Sequence, residues 1–419
     1  MSHVVRPSVV LSGVDRQRTV LCGCPAKGEG KGKGVEDVHG SVVALAGELV
    51  RTPSRGGIDD YGPVLSVLER WLAHRGLPHR RLRGPDGNAA GLLVEIAGGR
   101  PGEWWTLDAC VDTAPFGDES AWSFPPAAGD VVDGMLRGRG AADSKTAAAL
   151  FCHLAAEIAP RARETHGGLA VLLDVDEHTG RFGGARAYLA DPDAVRPAGV
   201  LIGYPGLDEV VVGGRGLWRC VLTVHASAGH SGARRETVGA VSRAARLVAM
   251  LDEAELPRDD WPLPPRLTVT AIRGGEGFSV VPDSCAISVD VRTTPGFGPA
   301  EAERLVRDVV TAFDAAVPGP TRTAVDAVAA WPAYRLERDR QPAAALLDAA
   351  AGEGLAARAK VAGPSNIGNL LAGEGIPATA GFGLPYRGLH GADECVDLAE
   401  LPRVYRVYRQ AVLRLLGAT

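Results

Sequence analysis

The spacing of apolar residues predicts alternating helices and strands in the first half of the chain. Helical spacing occurs in four segments: residues 42–50, 64–75, 146–159 and 184–190. Strand patterns occur at residues 79–96, with a turn at Pro85-Asp86-Gly87, and at 107–111 and 168–175. Strands that alternate with helices in this way predict a mainly parallel sheet covered by helices.

The pattern changes after Gly216. Strands are predicted at residues 217–226, 266–272, 284–292 and 321–329, and helices at 238–251 and 299–316. This β-α-β-β-α-β order is typical of a ferredoxin-like fold. We therefore expect a small domain inserted into a larger one, with hinges near Gly216 and Trp331.

The last part of the chain returns to the larger domain. It is predicted to contain a helix at 341–351, strands near Ala359 and Ile376, and a terminal helix at 398–416. A length of 419 residues suits two domains. We expect residues 1–37 to form a disordered extension. Residues 38–215 and 331–419 are expected to form a discontinuous catalytic domain, and residues 216–330 a lid or dimerisation domain.

Composition narrows the classes of ligand and compartment. The net charge of −5 gives no electrostatic reason to expect a nucleic acid or an anionic membrane as partner. No apolar run approaches the ~20 residues that span a bilayer. Seven scattered cysteines without a secretory leader favour a reducing, cytoplasmic location. Small charged or polar metabolites are the expected ligands.

Residues with metal and acid–base chemistry follow the predicted strands. A Gly-rich turn carries Asp143 to a predicted helix start, the strand at 168–175 leads to Glu177 and His178, and a late loop carries His390. These side chains could converge on one metal-activated water. For Asp143 alone, an N-cap of the following helix is the alternative interpretation.

Seven motifs in order resemble a known family. They are LDACVDTAP, GRGAADSK, DVDEHTGRFGG, GYPG, AGHSG, VVPDSCAISVDVR and GLHGADECV. Together they resemble the co-catalytic zinc hydrolases of clan MH, peptidase family twenty, which include aminoacylase, acetylornithine deacetylase, succinyl-diaminopimelate desuccinylase and carboxypeptidase G. The resemblance implies an α/β fold with a zinc-peptidase-like mixed sheet covered by helices and an inserted ferredoxin-like βαββαβ lid. It also implies a homodimer formed through that lid.

The resemblance further implies a site for two zinc ions bridged by one aspartate. Carried over residue by residue, Asp143 is the bridging ligand, Glu177 the general base and His390 a ligand of the second ion. Three positions depart from the pattern: Cys110 replaces a histidine, His178 replaces the second glutamate of a pair, and Tyr204 replaces an acidic ligand.

These departures predict that the two halves of the site are unequal. Asp143, His178 and His390 keep the three protein ligands that are typical of a catalytic zinc site. Cys110 and Tyr204 offer a thiol and a neutral phenol, and Cys110 is also readily explained as a small core residue. We therefore expect at most one zinc per subunit. Cobalt or manganese also suits this ligation, and a site without metal stays open.

Four further residues are marked by the resemblance. Asp112 matches a carboxylate that orients the missing histidine, or else it caps its loop. His230 matches a histidine that reaches the substrate carbonyl from the partner subunit, with an exposed turn histidine as alternative. Arg292 matches an arginine that grips a substrate carboxylate, with a surface ion pair as alternative. Ser279 stands where the family often has an asparagine beside the substrate.

The leading hypothesis is a metal-dependent hydrolase of C–N bonds that cleaves the amide of an N-acyl amino acid or a small peptide. Glu177 would act as base and then acid, and His230 would stabilise the oxyanion. A non-hydrolytic enzyme that forms or cyclises amides in a biosynthetic pathway is the second hypothesis. A non-catalytic relative that binds a ligand or partner is the third.

Overall fold

The helices follow the predicted apolar periodicity closely. The computed structural model describes residues 37–234 and 238–418, so the predicted extension lies outside the described residues apart from Asp37. The α-helices of these residues are α1 (Val38–Val50), α2 (Gly62–His74), α3 (Thr146–Ile158), α4 (Gly183–Ala190), α5 (Ala240–Asp252), α6 (Pro299–Ala316), α7 (Ala343–Gly352), α8 (Ile367–Gly373) and α9 (Leu401–Leu415). In the described ranges, none of them is long and apolar enough to cross a membrane.

The strands include all the predicted ones and several that the pattern missed. They are β1 (His79–Arg83), β2 (Ala89–Ala97), β3 (Arg100–Cys110), β4 (Val131–Val132), β5 (Met135–Arg137), β6 (His166–Asp174), β7 (Gly199–Gly203), β8 (Glu209–Gly214), β9 (Gly216–His225), β10 (Gly229–His230), β11 (Arg266–Arg273), β12 (Val280–Val281), β13 (Ser284–Thr293), β14 (Ala324–Trp331), β15 (Tyr334–Arg335), β16 (Arg358–Ala362), β17 (Ala378–Phe382), β18 (Tyr386–Arg387) and β19 (Cys395–Asp397).

The largest sheet is mixed. Its strand order is β1-β2-β6-β3-β7-β17-β8-β15, and β16 pairs with β8. The central strands β6, β3, β7 and β17 run parallel, whereas β1, β2 and β15 pair antiparallel. The expectation of a mainly parallel sheet therefore holds for the centre and fails at the flanks, where a tight hairpin between β1 and β2 requires antiparallel pairing.

Helices cover both faces of this sheet. Strand β6 shows why: Val171 and Leu173 belong to the main core with helices α1, α3 and α9, and the alternate residues Ala170 and Leu172 pack in a separate cluster with Tyr188 of α4. A strand that is apolar at every position, rather than at alternate ones, is typical of a sheet buried on both sides.

A second, four-stranded sheet lies between Gly216 and Trp331. Its order is β11-β13-β9-β14 with antiparallel pairing throughout, and helices α5 and α6 contribute to its separate hydrophobic core. Along β9, Trp218 and Cys220 belong to this core, while Arg219 and Val221 are only half-buried. One face of the sheet therefore packs on helices, and the other face is open.

The parallel strands deliver their carboxyl ends to one edge of the large sheet. Strands β3, β6 and β7 end there at Cys110, Asp174 and Gly203. A small sheet in the order β18-β19-β5-β4 connects the late loop to the Gly-rich turn. Ligands of open α/β sheets bind at this kind of edge.

Candidate functional site

Asp143 lies in a distorted helical turn, Ala141–Lys145, whose backbone is tied to the late loop. The side chain of Glu394 accepts hydrogen bonds from the backbone N–H groups of Gly140 at 2.9 Å and Ala142 at 3.0 Å. Arg139 forms a buried ion pair with Glu394 at 2.5 Å. Sequence reasoning missed both Arg139 and Glu394. The GADE segment of the late motif contained Glu394, but only the tertiary structure shows that its carboxylate supports the turn.

Asp112 positions the loop that carries Glu177 and His178. Its carboxylate accepts hydrogen bonds from the backbone N–H groups of Glu177, at 3.2 Å, and of His178, at 3.0 Å. The same carboxylate lies 3.4 Å from Nδ1 of the His178 ring. Nε2 of that ring lies 3.4 Å from Asp143. The imidazole is therefore held between two carboxylates, one on each nitrogen.

His390 approaches Asp143 from the late loop. It has a positive φ of 59°, and its Nε2 lies 2.9 Å from Oδ2 of Asp143. The side chain of Asp143 is only 3% exposed, whereas that of His390 is 52% exposed. Burial opposes ionisation of Asp143, but the hydrogen bonds and charges of His178 and His390 hold its pKa below the usual range.

These three residues fit a metal ion. One potential ligand atom from each of Asp143, His178 and His390 lies within 4.8 Å of the others. Two ligands of a tetrahedral zinc, each at about 2.1 Å, are separated by about 3.4 Å, which matches the distance of 3.4 Å between His178 Nε2 and Asp143 Oδ2. Both ring nitrogens of His178 are buried and lack a well-formed hydrogen bond within the described ranges. Three ligand atoms of this kind would hold one ion and would leave the fourth position of a tetrahedral site for water.

Glu177 lies beside this cluster without belonging to it. Its Oε2 is 3.6 Å from Nδ1 of His178, and its side chain is partly exposed. Burial, followed by the negative charge of Asp143, raises the pKa of Glu177 to about 8. A cation held by the neighbouring Asp143, His178 and His390 would lower this pKa again by offsetting the charge of Asp143, so that the carboxylate could accept a proton from water.

Cys110 and Tyr204 form the opposite side of the site. Sγ of Cys110 lies 3.7 Å from Oδ1 of Asp143. Burial and the charges of Asp143 and Glu177 raise the pKa of the Cys110 thiol and of the Tyr204 phenol. Cys110, Asp112 and His178 make a second compact group with ligand atoms within 4.8 Å. In that group, Asp112 already accepts two backbone hydrogen bonds, and burial raises the pKa of the Cys110 thiol.

A buried pair of carboxyl groups lies behind Cys110, and sequence reasoning missed it. Asp108 and Asp174 occupy the adjacent strands β3 and β6 and are 1% and 0% exposed. Apart from each other, their oxygens have no hydrogen-bond partner in the described part of the chain. Burial raises the pKa of Asp108 to about 7, and burial together with the charge of Asp108 raises the pKa of Asp174.

The predicted substrate-side residues lie on the segment with the four-stranded sheet. His230 is exposed on β10, which pairs with β12, and Ser231 next to it donates a backbone hydrogen bond to the carbonyl of Ser279 at 3.0 Å. No hydrogen bond or ion pair among residues 37–234 and 238–418 joins His230 to the Asp143 cluster. Arg292 forms an ion pair with Asp290 at 2.7 Å, which was the alternative interpretation.

Comparison with known proteins agrees with this geometry. The family described as "Peptidase family M20/M25/M40" matches residues 108–414. A succinyl-diaminopimelate desuccinylase of Parvibaculum lavamentivorans is 29% identical over 391 residues, which cover 88% of this chain and 94% of that protein.

Solved structures share the fold. A tripeptidase from Staphylococcus aureus superposes with a TM-score of 0.73 at 17% identity, covering 90% of this chain and 99% of that one. A Bacillus subtilis protein described as a dinuclear metal-binding peptidase of the M20 family has a TM-score of 0.66 at 16% identity, covering 91% and 99%. This chain belongs to peptidase family M20/M25/M40, and it is a metal-dependent hydrolase of amide bonds.

Proposed function

We propose that this chain hydrolyses the amide bond of an N-acyl amino acid, or of a small peptide, with one metal ion held by Asp143, His178 and His390. The observation that carries the proposal is the position of His178, whose two ring nitrogens each lie 3.4 Å from a carboxylate. Metal-bound histidines commonly direct their second nitrogen to a carboxylate, which fixes the ring and its tautomer. Asp112 is suited to that role, and Asp143 to the role of ligand.

The ion would be zinc, with cobalt or manganese as alternatives for the same donor atoms. When bound, it supplies polarisation of the scissile carbonyl and acidification of water. Glu177 performs the proton transfers. One of its carboxylate oxygens takes a proton from the attacking water and returns it to the nitrogen of the leaving amine.

The remaining roles are assigned to the open sheet and its neighbourhood. Arg292 binds a carboxylate of the substrate through its guanidinium group. His230 stabilises the developing oxyanion in the site of a partner subunit. Its exposure, and its lack of contact with the Asp143 cluster, support a role across a homodimer interface formed by the segment of residues 216–330. We propose that this segment also acts as the lid.

The substrate class and compartment follow from chemistry and from the relatives. The desuccinylases named above support an acylated amino acid as substrate. The cysteines of the described residues, Cys110, Cys152, Cys220, Cys285 and Cys395, are all unpaired and buried, which suits a reducing cytoplasm.

Two measurements test the proposal. Elemental mass spectrometry of protein purified without chelator or affinity metal should find about one metal ion per chain, and a panel of N-succinyl and N-acetyl amino acids should include a substrate. Reactions with added amine donors separate hydrolysis from amide formation. No metal after zinc is offered, or amide products in place of free acid, would refute the proposed function.

A further inference from the structure

The open face of the four-stranded sheet concentrates positive charge next to the catalytic loop. In one cross-strand row, Arg266 of β11 lies opposite Arg292 of β13. In the next row, Asp290 of β13 lies opposite Arg219 of β9. Residues paired across antiparallel strands point to the same face. Because the neighbouring residues of these strands pack into the helix-covered core, all four side chains belong to the open face.

The carboxylate of Asp290 forms ion pairs with two of these arginines. Asp290 binds Arg219 through Nε at 2.6 Å and Arg292 through Nε at 2.7 Å. None of the ion pairs formed within the described residues includes Arg266 or the nearby Arg215. Arg215 instead donates to backbone carbonyl groups of Gly363 and Pro264, at 3.1 and 3.0 Å. Two of the four guanidinium groups thus share one carboxylate, and the other two have no ion-pair partner within the described residues.

This arrangement is unfavourable unless an anion completes it. Like charges directly opposite on antiparallel strands destabilise a sheet, since their Cβ atoms are only about 4.5–5.5 Å apart. Arg266 and Arg292 are such a pair. Burial and the charges of Arg292 and Arg266 lower the pKa of Arg215, which agrees with an excess of positive charge at this point.

The group lies close to the reacting centre. Nη1 of Arg219 lies against Gly180, 3.2 Å from the position that a Cβ atom on this glycine would occupy. Arg219 therefore contacts the loop three residues after Glu177. Nη1 of Arg292 lies 3.4 Å from Oγ of Ser365, whose hydroxyl donates to the carbonyl of Arg215. A ligand bound at Arg219 would therefore lie beside the loop that carries Glu177.

We propose that Arg219 and Arg266 form a second anion subsite beside Arg292, so that the preferred substrates carry two anionic groups, such as two carboxylates. Asp290 is a positioning residue. By binding both Arg219 and Arg292, it holds their guanidinium groups at a defined separation and leaves their outer N–H groups for the ligand. The inference rests on the proposed function, because that function supplies the amide that is cleaved. The binding of two anionic groups does not depend on it.

The test compares glutarate, a dianion, with butyrate, a monoanion of similar length, by isothermal titration calorimetry on the full chain. Wild-type protein should bind glutarate at least about tenfold more tightly than butyrate, since a charge-assisted contact to a guanidinium group is lost in butyrate. The double variant R219Q/R266Q should bind both probes equally. R273Q is the matched control, because Arg273 is exposed on the same open face at the far end of β11 and should keep the preference.

Equal binding of the two probes by wild-type protein overturns the subsite, as does a glutarate preference that survives R219Q/R266Q. A preference that R273Q abolishes as well would show general charge attraction and would also overturn it. The titration needs no turnover. If the protein prefers the dianion but cleaves no amide, only the proposed function is refuted. If it cleaves amides but does not prefer glutarate over butyrate, only the subsite is refuted.

Discussion

The two sides of Asp143 differ in what they offer a metal ion. On one side, His178 and His390 place ring nitrogens at 3.4 and 2.9 Å from its carboxylate. On the other side, Cys110 and Tyr204 place a thiol and a phenol whose pKa values are raised by burial. A thiol and a phenol must each lose a proton before they bind a dication well, and burial beside carboxylates opposes that loss. This difference supports the proposal of one ion, held on the side of His178 and His390.

The surroundings of Asp112 differ between the implied family pattern and this structure. In the family pattern, a histidine at position 110 would be oriented by Asp112. Here that position holds Cys110, and Asp112 lies instead beside Nδ1 of His178. An imidazole beside Asp112 is thus still present, but the ring comes from the neighbouring loop. We expect Asp112 to orient this ring as well as to cap its loop.

Replacing Glu177 by glutamine should have the largest effect, because it removes the proton carrier and leaves both halves of the site in place. We expect kcat to fall by about 10²–10⁴-fold, with metal content and melting temperature unchanged. Stopped assays on the best substrate of the panel measure the loss. E253Q, an exposed change at the end of α5, is the control. Turnover at the wild-type rate in E177Q would remove Glu177 from the mechanism.

Removing His390 should separate the two halves most directly. The metal affinity of H390A should fall by more than ~10–100-fold, which is the loss typical when a residue that only orients a ligand is removed. In H390A the ligand itself is lost. Y204F, which changes the opposite side, should keep the wild-type affinity. Competition with a zinc-binding dye measures both variants. If Y204F lost the ion and H390A retained it, the ion would be held by Tyr204 and not by His390, and our assignment of the ligands would be wrong.

Asp112→Asn tests the new partner of His178. The asparagine offers one acceptor oxygen in place of two, so only one of the backbone N–H groups of Glu177 and His178 keeps its acceptor, and the negative charge beside Nδ1 is lost. We expect metal affinity to fall by about 10–100-fold. The same dye competition gives the value, and circular dichroism checks the fold. Unchanged affinity would return Asp112 to the role of a loop cap.

Asp108→Asn probes the buried carboxyls behind Cys110, with the smallest effect. The folded-state pKa of Asp108, about 7, exceeds the unfolded value of about 3.9. Its contribution to stability is therefore complete below pH 4 and is lost as the pH rises through 7. Urea unfolding should show wild-type stability falling between about pH 4 and 7, and that of D108N falling less, by a difference of about 1 kcal/mol or more. Parallel pH profiles of the two proteins would contradict this.

The pattern of apolar residues predicted much of the fold because helix and strand periods are local properties. Helices α1, α3 and α6 and strands β6 and β13 lie within a few residues of their predicted positions. Strands β7 and β8 and helix α8 were missed. They are short segments rich in Gly and Val or Leu, whose periodicity does not distinguish a strand from a helix. The mixed sheet that the resemblance implied is confirmed, but periodicity alone did not predict the antiparallel pairing of β2 with β6 or of β15 with β8, because these pairs join segments that are distant in the chain.

The candidate site divides in the same way. Residue types and the family resemblance of the ordered motifs indicated Asp143, Glu177, His178 and His390. The resemblance indicated the weak half at Cys110 and Tyr204, and apolar periodicity indicated a domain between residues 216 and 330. Those domain bounds and residue roles stay predictions.

Tertiary structure alone decided which groups meet. It placed Asp112 beside His178, Glu394 under the turn of Asp143, and Arg266 opposite Arg292. These contacts join residues that are far apart in the chain, and they depend on strand register, since a shift by one residue would send each side chain to the other face. Local sequence carries residue chemistry, whereas register and packing determine which of those residues come into contact.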